Sequence, residues 1–251
     1  QWQPLKKIEF KSQNYQSSLD TLYNYGGFPE TLISQDTRVL RRWHNEKLER
    51  LFREDIRDVE NIRDISSMKL LGDLLPLKAA SPLSINNLRE DLEISHRAIT
   101  SWLNILESFY YHFRIYPYSS KLIRSIKKEP KIYLTDWSEA ENEGARFENL
   151  VASHLLKFTN YLFERDGYKI GLFYLRNVDK KEVDFLVTVD NKPWFAVEVK
   201  LSETSPSSNL SYFKDRLNIP FNFQIVKQEG IDILKNDIRI MSASKFLSGL
   251  V

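Results

Sequence analysis

Glu182-Val183-Asp184-Phe185-Leu186-Val187 and, after a short turn at Asp190-Asn191, Ala196-Val197-Glu198-Val199-Lys200 decide how the last part of this chain is read. Residues two apart on a strand share a face. Glu198 and Lys200 therefore point together, while Val197 and Val199 point into the opposite layer. If the preceding strand pairs beside this one through the Asp190-Asn191 turn, Asp184 reaches the same spot, and two carboxylates and an ammonium converge. Mg²⁺ is held by one or two carboxylates together with water and substrate phosphate, which is what Asp184 and Glu198 can supply. Lys200 can position or help deprotonate an attacking water and offset charge developing at phosphorus. An E-x-K on a strand is weak alone, because exposed strand edges carry alternating charges for solubility. Here it is joined by an acid fourteen residues earlier and by apolar residues on the alternate positions.

Around this pair the pattern is α/β. A helix is expected from Gly144 to Phe158, followed by strands at Ile170–Arg176, Glu182–Val189, Trp194–Lys200 and Phe221–Val226, and by helices near Leu210–Leu217 and Ser242–Leu247. Glu148, on the first of these helices, offers a fourth group that completes a metal shell directly or through water, and Glu182 competes with Asp184 as a ligand. This segment is taken as 137–251.

Upstream, 66–136 has the pattern of a winged helix-turn-helix. Ile85, Leu88 and Leu92 space one short helix, Glu93-Ile94-Ser95 makes the turn, and Ser95 caps a second helix bearing Ile99, Trp102, Leu103 and Leu106. Strands at Tyr110–Tyr116 and Lys131–Leu134 flank a basic loop. Between His112 and Lys131 six basic residues (Arg114, Lys121, Arg124, Lys127, Lys128 and Lys131) stand against Glu129 alone. A DNA-binding role would place Arg97 and Asn104, with His96, Thr100 and Ser101, on the exposed face of a recognition helix, and Lys121, Arg124, Lys127 and Lys128 on phosphates. The competing reading is a protein-docking module, since Glu90, Asp91 and Glu93 lie close to that helix. The first segment, 1–65, is helical: the breaker Gly26-Gly27-Phe28-Pro29-Glu30 precedes a long helix capped by Thr37 and carrying Val39 to Val59. Its charged face, of mixed sign, is a solvated surface.

The bulk properties exclude several classes. There is no cysteine, so disulfides, thiolate zinc sites and cysteine nucleophiles are out. Thirty-six basic residues against thirty-four acidic ones give a net charge of +2, so a nucleic-acid partner has to be argued locally. No apolar run approaches the roughly 18 residues that span a bilayer. A cytoplasmic chain without a membrane partner is expected. It starts at Gln1 rather than a methionine, which suggests a piece of something longer.

Taken with Asp184 and Glu198-Val199-Lys200, the pattern resembles the PD-(D/E)XK nuclease superfamily, and Phe147-Glu148-Asn149-Leu150-Val151 resembles the helix glutamate of its Holliday-junction-resolvase-like branch. The first strand has Val183-Asp184 in place of Pro-Asp. A narrower resemblance rests on Gly26-Gly27-Phe28-Pro29-Glu30, Pro130-Lys131-Ile132-Tyr133-Leu134-Thr135-Asp136, Phe147–Val151 and Lys181–Phe185: these are similar to the carboxy-terminal half of prokaryotic AAA+-like ATPases. That resemblance implies a helical segment, a winged helix and a restriction-endonuclease-like domain, with an ATPase module upstream. No G-x-x-x-x-G-K-[ST] phosphate loop is present here, so ATP hydrolysis is not assigned to these residues. Two functions follow as expectations. One is a Mg²⁺- or Mn²⁺-dependent DNA endonuclease, with Asp184, Glu198 and Glu148 on the metal and Lys200 beside them, a homodimer being expected where both strands are cut. The other is a catalytically inactive binding half that regulates the ATPase.

Overall fold

The computed structural model describes residues 3–10, 15–52, 64–119 and 129–250. It resolves the chain into two compact units. One, the helical unit, contains 21–114 and 131–149; the other, the sheet unit, contains 1–20, 115–130 and 150–251. This division differs from the segments 1–65, 66–136 and 137–251. The reason lies in the packing: Leu48, Leu51 and Phe52 share one buried core with Met68, Leu71, Leu88, Ile99, Leu103, Leu106, Ile132 and Leu134, so no boundary falls between them.

The helical unit draws on α1 (Gln16–Tyr25), α2 (Pro29–Ser34), α3 (Thr37–Arg50), α4 (Ile65–Leu74), α5 (Ile85–Leu92) and α6 (His96–Ser108), with strands β1 (Ser81–Pro82), β2 (His112–Pro117) and β3 (Lys131–Leu134). Side-chain caps set several helix starts: Asp64 accepts from Ser67 N–H, Ser84 from Asn87 N–H and Ser95 from Ala98 N–H. Helix α3 begins as expected, but its cap is Asp36, which accepts from Arg38 N–H, rather than Thr37. The expected extension of α3 to Val59 lies outside the described residues. Glu93, with φ of 55°, ends α5 and turns the chain into α6. β1 pairs antiparallel with β3, which lies beside β2.

The sheet unit is built from α7 (Glu143–Asp166, whose residues from 150 onward belong here), β4 (Ile170–Arg176), β5 (Glu182–Val189), β6 (Lys192–Lys200), α8 (Ser208–Leu217), β7 (Phe221–Val226), β8 (Asp232–Lys235), β9 (Ile238–Ser242) and α9 (Ala243–Ser248). The sheet is mixed, in the order β2-β4-β5-β6-β7-β9-β8. β4, β5 and β6 are antiparallel, and β6, β7 and β9 run parallel. Asp190 and Asn191, with φ of 48° and 64°, make the two-residue β5–β6 turn, as the dipeptide suggests. Asn236 and Asp237 repeat that chemistry between β8 and β9, a hairpin the sequence reading passes over.

Helices cover both faces of this sheet. Leu210 and Phe213 of α8 pack with Val183, Leu186, Ala196, Val226 and Ile240 on one face. On the other, Phe158 of α7 meets Trp194 and Phe195, and Phe246 of α9 meets Phe223 and Phe10. α7 runs past the expected Phe158 to Asp166 because Leu162 continues its buried stripe. Two register shifts interrupt the ladders. One β4 residue, Tyr174, stands against Asp184 and Phe185 of β5, and Trp194 is an extra residue in β6 between the pairs Val187↔Phe195 and Thr188↔Pro193.

Candidate functional site

Phe185 pairs with Val197 across the β5–β6 ladder, so the next step places Asp184 opposite Glu198. Directly opposed side chains share a face with Cβ atoms about 4.5–5.5 Å apart. On the other side of Glu198, the parallel β6–β7 register sets Gln224 against it. Asp184, Glu198 and Gln224 thus form a polar row across three strands, at the end of β6 that carries Lys200. The expected convergence of Asp184, Glu198 and Lys200 is what the geometry contains. The bulge at Asp184-Phe185 adds a detail that simple alternation omits: Val183 and Leu186 both join the core beneath α8, although three residues apart.

The contacts in this row are specific. Lys200 Nζ lies 2.9 Å from Glu198 Oε1, with the lysine side chain 37% exposed and the glutamate 5%. Ser207 Oγ approaches the same oxygen at a long 3.4 Å, and Asp184 Oδ2 accepts from Val199 N–H at 2.9 Å. Partial burial by itself would lower the Lys200 pKa, but the carboxylates of Glu198, Asp184 and Glu203 outweigh it, and the net shift is upward. Lys200 is therefore an ammonium at neutral pH. Glu182 is committed to Arg176 at 3.1 Å on the neighbouring strand.

Glu148 lies in the helical unit. Its Oε1 receives Lys131 Nζ at 3.0 Å and the Tyr133 hydroxyl at 2.8 Å, and that lysine is almost fully buried. Among the described residues no group of three or more histidine, aspartate or glutamate side chains is arranged to hold a metal ion. The Asp184–Glu198 pair matches a hard cation that keeps several of its waters and not one caged by protein ligands.

On α6, Arg97, Ser101 and Asn104 are exposed and spaced to share a helix face. Asn104 is also tied inward: Arg114 Nη2 donates to its Oδ1 at 2.7 Å and pairs with Glu107. Arg114 and Lys131 thus spend their charge on internal carboxylates, which trims the basic count of the loop. Lys121, Arg124, Lys127 and Lys128 lie outside the described residues. Among the described residues no helix is long and apolar enough to cross a membrane.

A second acid–lysine cluster escapes the sequence reading. In the helical unit, Lys47 pairs with Glu139 and lies 3.6 Å from Asp136, with Phe28 and Tyr111 rings 5.4 and 5.2 Å from its ammonium. Asp136 is fully buried. It caps the turn at 137–139, as its position suggests, and accepts from Trp43 Nε1 at 3.0 Å and Ser138 Oγ at 2.5 Å. Gly26, with φ of +76°, packs so closely that a Cβ there would stand 2.6 Å from Asp136 Oδ1. The Gly26-Gly27 and Asp136-Trp137 motifs are thereby explained as one packing unit. His44 Nε2 reaches Ser138 Oγ at 2.9 Å, which resembles a nucleophile and its base. The serine proton goes to Asp136, so His44 is left as the donor and cannot activate that hydroxyl.

Two family models match this chain: Domain of unknown function (DUF8612) over residues 16–140 and Domain of unknown function (DUF4143) over residues 143–246. DUF4143 is often found in the carboxy-terminal part of AAA-type ATPase-like proteins. No solved structure matches. An uncharacterized protein of Methanocaldococcus jannaschii is 28% identical over 211 residues, covering 78% of this chain, and the alignment takes in 45% of that relative's length. The chain therefore spans about half of the curated relative it matches, and its two halves are similar to two domains of unknown function.

Proposed function

We propose that the sheet unit is a PD-(D/E)XK-like phosphodiesterase domain acting on DNA with Mg²⁺ or Mn²⁺, and that α4–α6 with β1–β3 form a winged helix that holds the duplex. The observation that carries this reading is the direct opposition of Asp184 and Glu198 on paired strands, with Lys200 beside them and open to solvent. A divalent cation held by Asp184 and Glu198 would supply Lewis-acid polarisation of a phosphoryl oxygen. Lys200, being charged, orients water or phosphate and offsets negative charge at phosphorus, and does not serve as the base. Arg97 presents a cation on the exposed face of α6. In this proposal an ATPase module precedes the chain in its cytoplasmic parent protein, and a homodimer supplies the two sites that a double-strand cut takes. Glu148, held by Lys131 and Tyr133 in the helical unit, has no part in this proposal.

The test is cleavage of supercoiled plasmid and branched DNA by this chain with Mg²⁺ or Mn²⁺. Asp184→Ala and Lys200→Ala are each expected to lower the rate by about 100-fold or more while remaining folded. One observation favours the second reading, an inactive binding half: the Lys200–Glu198 ion pair engages a carboxylate oxygen that a metal would use. Absence of cleavage by this chain and by its longer parent with ATP would select that reading.

A further inference from the structure

Gln224 interrupts an apolar strand. Phe223, Ile225 and Val226 flank it, all buried, and Gln224 itself is fully buried opposite Glu198. A carboxamide in such a place is costly unless its hydrogen bonds are made. Here they all go to the connection between β6 and α8. Nε2 donates to the Glu203 carbonyl at 2.7 Å and to the Ser205 carbonyl at 2.9 Å, and Oε1 accepts from Ser207 N–H at 2.8 Å. One side chain therefore spans the connection from 203 to 207.

Fixing Ser207 has a directed consequence. Its Oγ caps α8 by accepting from Leu210 N–H at 3.3 Å, so the hydroxyl proton is left to point elsewhere, and the acceptor in reach is Glu198 Oε1. Lys200 holds that same oxygen. The clamp also places Glu203, whose charge acts on Lys200. We infer that Gln224 is a positioning residue of the Asp184–Glu198 centre, holding the 203–207 connection so that the Ser207 hydroxyl and Lys200 together orient the Glu198 carboxylate toward a divalent cation. This rests on the metal reading proposed above. A leucine or methionine at 224 would satisfy the strand and the core but would release the connection. Groups that orient a metal ligand commonly change metal affinity 10- to 100-fold when removed.

The experiment is calorimetric titration of the full chain with Mn²⁺, alongside urea unfolding of each variant. Asp184→Asn defines the baseline without a site. Gln224→Met and Ser207→Ala are each expected to weaken Mn²⁺ binding by roughly 10-fold. The double variant should be no weaker than Gln224→Met alone, because both act through one contact. Ser207→Thr, which keeps the hydroxyl and the cap, should bind within about twofold of the wild type. Binding unchanged in folded Gln224→Met, or additive losses in the double variant, would overturn the inference while leaving the metal centre standing. If Gln224→Met fails to fold, unchanged binding in Ser207→Ala overturns it equally. A wild type that binds no more tightly than Asp184→Asn removes the metal reading and this inference with it.

Discussion

The two units each hold an aspartate, a glutamate and a lysine, in opposite circumstances. In the helical unit, Lys47, Asp136 and Glu139 are sealed: the lysine is 14% exposed, the glutamate 8% and the aspartate fully buried, Trp43 and Ser138 donate to Asp136, and Tyr111 donates to Glu139. Burial is the largest influence on Glu139 and pushes its pKa up against the pull of Lys47. In the sheet unit, Asp184, Glu198 and Lys200 stand at a strand end with the lysine 37% exposed. The same three residue types make a structural joint in one place and a candidate centre in the other. What separates them is whether neighbouring donors and acceptors leave the cluster open to a ligand.

The largest effect expected from this contrast is on Asp136→Ala. It leaves the Trp43 indole and the Ser138 hydroxyl without their buried acceptor and Lys47 with Glu139 alone, and urea unfolding should show a loss of about 3–5 kcal/mol. Next is pH. Burial holds His112, whose Nε2 donates to the Leu103 carbonyl, at about 4, below the ordinary 6.5. The unfolded chain takes up this proton near 6.5 and the folded chain only near 4. Stability from this group is therefore complete above pH 6.5 and is lost as pH falls toward 4, by roughly 2–3 kcal/mol. Burial lowers His44 and His154 as well, which adds in the same direction. The stability lost between pH 7 and pH 4.5 should shrink by roughly 2–3 kcal/mol in His112→Gln, and an unchanged pH slope in that variant would place the effect elsewhere. The smallest effect is on Lys200→Met, which should alter stability by less than about 1 kcal/mol, as befits a partly exposed pair. A loss comparable to that of Asp136→Ala would break the contrast and mark both clusters as structural.

The sheet unit was legible where chemistry is local. Alternation set Glu198 and Lys200 on one face, and Asp190-Asn191 announced the turn that brings Asp184 alongside. The β8–β9 hairpin carried its own signal in Asn236-Asp237, between two short runs rich in aliphatic residues. The Lys47–Asp136 joint was not legible, because 89 residues separate partners that meet only after α3 has packed against the 136–139 turn. Gln224 was hidden for the opposite reason: a lone amide in an apolar strand says nothing about which backbone it will tie. Counting cations from His112 to Lys131 misled in part, since Arg114 and Lys131 face internal carboxylates.

That Trp194 is bulged out of the ladder governs whether the acids meet at all. Val189↔Lys192 and Thr188↔Pro193 are the pairings that the two-residue turn dictates, and carried onward without interruption they would set Asp184 opposite Val197. The bulge advances the ladder by one position, and Asp184 faces Glu198 instead. Trp194 is held there by its fully buried ring and by its indole N–H on the Lys6 carbonyl at 2.9 Å. Deleting Trp194 would give an unbroken ladder with Asp184 still facing Glu198, whereas the full-length strand with its bulge flattened would slide Glu198 past Asp184 and turn it to the other face.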